Sequence, residues 1–133
     1  MRQKAGQLFP VLAWAALVTA LLAVVMGGVV RVTGSGLGCP DWPLCHGQVI
    51  PPANLGSWLE YTHRLTAIIA GLFIILTVFA SFGRFRTGEP AQFIVLLVPI
   101  LLVIQAVLGG ITVLTELSSP VALAHTGVAA ILV

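Results

Sequence analysis

Apolar positions run along this chain in long stretches, without the alternation of a strand or the single stripe of a soluble helix. From Leu8 to Val30 no charged residue interrupts 23 positions. About 20 apolar residues in a helix cross the hydrocarbon core of a bilayer, so this stretch predicts a first membrane span. Arg2 and Lys4 precede it as they would in a secretory leader. The apolar stretch nevertheless exceeds the roughly 7–15 residues of a leader's core, and a retained helix is expected. A second span is predicted from Ser57 to Phe82 and a third from Gln92 to Val113, with Pro99 expected to bend it. A fourth starts near Pro120 and reaches Val133. A helix over 120–133 rises about 21 Å, short of a core of roughly 30 Å, so the sequence is expected to stop inside its fourth helix. The fold class predicted is all-α: a polytopic membrane protein, one domain over residues 1–133. It would be a four-helix transmembrane bundle of two hairpin repeats with a truncated fourth helix and an outer loop over residues 31–56.

Composition agrees with that pattern. Hydrophobic residues make up 59% of the chain and charged residues 8%. A soluble domain carries about 25% charged residues, so this chain lacks the polar surface for one. The formal net charge of +2 is too small to suggest nucleic acid. The placement of charge says more. Arg2 and Lys4 precede the first span, and Arg84 and Arg86 lie between the second and third. Basic flanks stay on the cytoplasmic side, which predicts a cytoplasmic amino terminus and an outside loop carrying Cys39 and Cys45.

The first and third spans end alike. Gly27-Gly28-Val29 leads to Thr33, and Gly109-Gly110-Ile111 leads to Thr115. Each is followed by an outside loop, a proline and a helix carrying a histidine. Two hairpins of one design would place a shared site at their interface. The glycine pairs are expected to let helix backbones approach closely.

His63 falls about six residues into span two and His125 about five into span four, at nearly equal depth, roughly 8 Å below the outer surface. Ionisable side chains within a membrane usually face the bundle interior and a partner. Two neutral imidazoles on opposing helices can supply both axial ligands of a haem iron. Simple hydrogen bonding to a neighbouring helix is the plainer alternative, and zinc would need further ligands at that depth. His46 lies in the loop and is a weaker candidate.

Glu60 stands three residues before His63, so both project from one helix face, and its carboxylate could accept a proton, orient water or stabilise a cation. Arg64 suits either a haem propionate or a salt bridge to Glu60 at i,i+4. A Glu60–Arg64 pair with no chemical role is the alternative. The loop, with prolines at 40, 43, 51 and 52, reads as a turn-rich cap. Cys39 and Cys45 are the two cysteines, placed where a disulfide can persist, either structural or redox-active.

The run from Gly27 to Gly47, followed by Glu60-Tyr61-Thr62-His63-Arg64, resembles the amino-terminal half of the haem A synthase family. Gln105 to Thr115 and Ala124-His125 resemble that family's third and fourth helices. The resemblance implies two related four-helix bundles per full chain and oxidation of a methyl group of haem O to the formyl group of haem A, with water as oxygen source. It implies His63 and His125 as haem iron ligands, Glu60 as the catalytic carboxylate, and Cys39 and Cys45 as the outer cysteine pair. The cofactor is haem, as haem b or as haem O and haem A in the roles of substrate and product. The implied setting is a prokaryotic cell membrane, with haem O synthase and cytochrome oxidase assembly factors as partners. A second four-helix half is missing from the sequence. The chain is therefore expected to be a fragment, or a half-length relative that pairs with its own copy. A non-enzymatic b-type cytochrome subunit and a membrane thiol–disulfide protein are the alternatives.

Overall fold

The computed structural model describes residues 2–133, and the side chains of Arg2, Gln3 and Ala5 lie outside what it describes. The described residues form four helices: α1 (Arg2–Val32), α2 (Leu55–Arg84), α3 (Pro90–Leu114) and α4 (Ser119–Leu132). Helix is the form in which a spanning segment satisfies every backbone N–H and C=O by itself. Among the described residues three segments are long and apolar enough to cross a membrane: Gly6–Val32, Leu55–Arg84 and Pro90–Leu114. The chain is thus a multi-pass membrane protein. Its helices outrun the apolar spans, because their ends are set by local chemistry. Asn54 caps α2, its side chain accepting from the Ser57 N–H at 2.9 Å. Pro90 and Pro120 stand in the first turns of α3 and α4, where a missing N–H costs nothing. Both α1 and α3 continue through an internal proline, Pro10 and Pro99 respectively.

α1 packs against α2 along most of its length, α3 packs against α4, and α2 also touches α3. Small residues line the first contact, with Ala16, Ala20, Ala70, Ala80 and Ser81 buried. Such residues bring helix axes close, which maximises dispersion contact where lipid offers no hydrophobic drive. At one end Gly6 lies directly on the backbone of Gly83, and Phe9 meets Phe85 edge-on with centroids 5.0 Å apart. All four helices border an open apolar cavity of about 210 Å³, with Ala16, Ala20, Ile74, Thr77, Val98 and Leu132 among its lining. A larger open pocket of about 510 Å³ surrounds the α2–α3 loop near Gln92. Neither of these two is lined by His63 or His125.

Candidate functional site

The loop between α1 and α2 is folded down onto the helix ends. Cys39 and Cys45 form a disulfide, and both are buried at 0% and 2% exposure. The Asp41 carboxylate accepts the His46 and Gly47 N–H groups at 2.5 and 2.6 Å, closing the turn in which both residues take positive φ. The Gly47 N–H chiefly holds the Asp41 carboxyl below its ordinary 3.8. The ring of His46 lies 2.9 Å from the Gly38 oxygen and 3.3 Å from Ser57 Oγ, so its contacts belong to the loop. Ser57 is fully buried and donates to the same Gly38 carbonyl at 2.5 Å. The backbone of Gly38 rests on that of Gly56 with no room for a Cβ.

Glu60 joins this cap to α2. It is 3% exposed, its Oε2 accepts the Cys39 N–H at 2.9 Å, and its Oε1 meets Arg64 Nη2 at 2.5 Å. Arg64 then reaches three loop carbonyls: Nη2 donates to Cys39 at 3.0 Å, and Nη1 donates to Asp41 at 2.9 Å and Leu44 at 2.7 Å. The salt bridge expected between Arg64 and Glu60 is present. Both Nη groups are committed to the cap, which leaves Nε–H as the guanidinium's remaining donor. Each Glu60 oxygen keeps acceptor capacity, since a carboxylate offers about four lone-pair sites.

The histidines occupy matching seats. His63 Nδ1 donates to the Ala23 carbonyl of α1 at 2.9 Å, and its ring lies against Gly27, where a Cβ would come within 3.0 Å of Cε1. The ring of His125 lies against Gly109 of α3, where a Cβ would come within 3.1 Å of Cε1. Each seat glycine lies five positions before the last residue of its helix. The two rings are near enough to interact electrostatically. These glycines therefore make room for imidazoles, which corrects the expectation that they bring helix backbones together. Gly110 likewise receives the ring of Trp42 from the loop, at 2.9 Å from a built Cβ, and Gly28 meets nothing within 4 Å.

The pairs differ in their polar partners. With Nδ1 committed to a carbonyl, His63 presents Nε2 as a free lone pair. His125 Nδ1 is buried against the backbone of Gln105, and its Nε2 lies 3.5 Å from Gln105 Nε2. Among the described residues no group of three or more His, Cys, Asp and Glu gathers as a metal site. An iron porphyrin asks for one imidazole from each side, and these two ring-shaped seats fit that demand. Sequence reasoning found His63, His125, Glu60, Arg64 and the cysteines. It missed Gln105, Ser57, Trp42 and the role of Asp41. The spacing from Asp41 to His46-Gly47 was the one legible signal, an acidic side chain ahead of a residue pair suited to positive φ.

An α-helical membrane protein with two inward-seated imidazoles and a disulfide-closed cap over a carboxylate is the class these features define. The family described as cytochrome oxidase assembly protein (COX15-CtaA) matches residues 10–61 and 54–133, and the chain belongs to it. A protein named Heme A synthase from Exiguobacterium sp. (strain ATCC BAA-1283 / AT1b) is 34% identical over 110 residues, covering 81% of this chain and 36% of the relative. Another of that name from Exiguobacterium sibiricum is 34% identical over 115 residues, covering 85% and 39%. A protein named Protoheme IX farnesyltransferase from Thermus thermophilus is 36% identical over 104 residues, covering 77% of this chain and 17% of the relative. The chain thus spans well under half the length of these curated relatives.

Proposed function

We propose that this chain is a haem A synthase or its amino-terminal four-helix half, oxidising a methyl group of haem O to the formyl group of haem A. The observation that carries the reading is the pair of glycine-seated imidazoles, His63 on α2 and His125 on α4. In this reading His63 and His125 would hold the porphyrin iron, which would supply redox chemistry for the oxidation of the methyl group. Glu60 stands three positions from His63 and is kept in place by Arg64 and the Cys39 N–H. Conversion of methyl to formyl with water as oxygen source releases four electrons and four protons to an external acceptor and to solvent. The intermediate stages place positive charge on the methyl carbon, and a nearby carboxylate favours that charge and accepts protons.

The remaining assignments follow from the same reading. The amino terminus is cytoplasmic and the disulfide cap lies outside, by the basic residues Lys4, Arg84 and Arg86. The whole catalytic unit is completed by a second four-helix half or a second copy, with haem O synthase and cytochrome oxidase assembly factors as neighbours. Membranes expressing the chain with a source of haem O test the proposal. Extracted pigment should contain haem A, Glu60→Gln should abolish that product and retain bound haem, and His63→Ala with His125→Ala should lose the haem. A reversible bis-histidine spectrum with unaltered porphyrin would instead identify an electron-transfer cytochrome. Full activity in Glu60→Gln would remove Glu60 from the chemistry.

A further inference from the structure

We infer that the apolar cavity bordered by the four helices receives the isoprenoid tail of the porphyrin substrate, so that the chain takes a farnesylated haem in preference to one without a tail. The inference rests on the reading that His63 and His125 hold the porphyrin, and goes beyond it by giving the tail a place.

The cavity lies on the same helix faces as the imidazole seats. Eleven residues of helix turn through about 1,100°, which returns a side chain to within about 20° of the same face. Ala16 stands eleven positions from Gly27, Ile74 eleven from His63 and Val98 eleven from Gly109, and all three line the cavity. Ala13, Thr77 and Val95 line it one turn further, fourteen positions from the same three residues. Nearer the seats, Ala20 and Leu132 line it seven positions from Gly27 and His125. On every helix the offset runs away from the disulfide cap. The cavity of about 210 Å³ therefore begins about 10 Å from the imidazoles along the helices and continues for about two further turns. Its lining is apolar apart from Thr77, whose hydroxyl donates to the Phe73 carbonyl at 2.7 Å.

Charge decides which edge of the porphyrin faces that cavity. Haem O carries its farnesyl chain on the ring edge opposite its two propionates. Carboxylates are costly in hydrocarbon, so the propionates turn toward the polar cap and the water beyond it. The tail then runs down the four seat faces into the cavity. Haem b bears a vinyl group at that position and leaves the cavity without a filling group. Lipid and detergent chains compete for an open cavity, so a third of its volume is taken as the net gain. At the cost measured for empty apolar cavities, that third corresponds to about 10-fold in affinity.

The test titrates the purified full chain in detergent with haem O and, separately, with haem b, and follows the Soret absorbance. Wild type should hold haem O about 10-fold more tightly than haem b. Val98→Phe and Ala16→Leu fill the cavity from α3 and from α1, and should remove that preference while haem b affinity stays at the wild-type value. The wild-type comparison needs no variant, so a variant that misfolds leaves the inference open to refutation. Equal wild-type affinity for the two porphyrins, or an undiminished preference in both folded variants, would overturn the inference and leave haem binding standing. A wild-type chain that binds neither porphyrin would overturn both.

Discussion

Replace Arg64 by methionine and the cap loses four hydrogen bonds, to Glu60 and to the carbonyls of Cys39, Asp41 and Leu44. Methionine keeps most of the aliphatic stem, so the loss is mainly of charge and donors. The Glu60 side chain is 4% exposed and would be left as an unpaired charge. Removing one partner of a buried pair costs about 3–5 kcal/mol. The Arg64 side chain is 15% exposed, and carbonyls at the loop surface recover water, so the lower end of about 3 kcal/mol applies. At 1.4 kcal/mol per factor of ten, that corresponds to roughly 100-fold in the equilibrium between closed and open cap.

The disulfide reports that equilibrium directly. With Cys39 and Cys45 at 0% and 2% exposure, a phosphine reductant reaches the sulfurs through local opening of the loop. When reclosing is fast, the reduction rate follows the open population. Reduction followed by maleimide labelling in detergent should therefore run about 100-fold faster in Arg64→Met than in wild type. Adding Glu60→Gln removes the stranded charge and should restore part of the protection. Reduction of Arg64→Met at the wild-type rate would refute the claim that this guanidinium holds the cap down.

Adjacent glycines should respond in opposite ways. Gly27→Ala forces its Cβ to 3.0 Å from His63 Cε1 and should lower haem content, whereas Gly28→Ala meets nothing within 4 Å and should be neutral or gain about 0.5–1 kcal/mol from helix propensity. Haem-to-protein ratio and thermal stability in detergent distinguish the two. Gly110→Ala collides with the Trp42 ring at 2.9 Å and should destabilise the cap by about 1–3 kcal/mol, with Trp42→Leu restoring it, as read by reduction of the disulfide. Asp41 has its folded pKa below the ordinary 3.8, so its contribution to loop stability is complete above 3.8 and fades as pH falls through the lowered value. Asp41→Asn should remove that acid-side increase in reduction rate.

The spans were legible because lipid imposes the simplest of all patterns, and the helices run a few residues beyond them. Hydropathy is silent about Asn54 capping α2 or Pro90 opening α3, so helices continued past the apolar limits. The Glu60–Arg64 pair was legible because i,i+4 geometry is local. The other three Arg64 contacts were not, since backbone carbonyls brought in by a folded loop carry no residue code. The glycine pairs were visible as a repeat and misread in role. Sequence shows that Gly27 and Gly109 are small, and the shape filling the space, an imidazole from the neighbouring helix, appears only in three dimensions. Gln105 carried no signal for the same reason: its meaning depends on which ring nitrogen it faces.

The two seats also show where chemistry can sit. Three positions before His63 is Glu60 and one after is Arg64, whereas the same offsets from His125 give Ala122 and Thr126. Among these counterparts only the α2 side carries ionised groups, and the long loop with its disulfide reaches Glu60 there through Cys39, while its Trp42 lies against Gly110 of α3. A methyl oxidation needs an anion on one side of the reacting carbon, whereas iron needs an imidazole on both. The proposed function asks for both, and the charged pair beside His63 has no counterpart beside His125. In the proposed function the division of labour follows: α4 would contribute a ligand, and α2 a ligand together with the carboxylate.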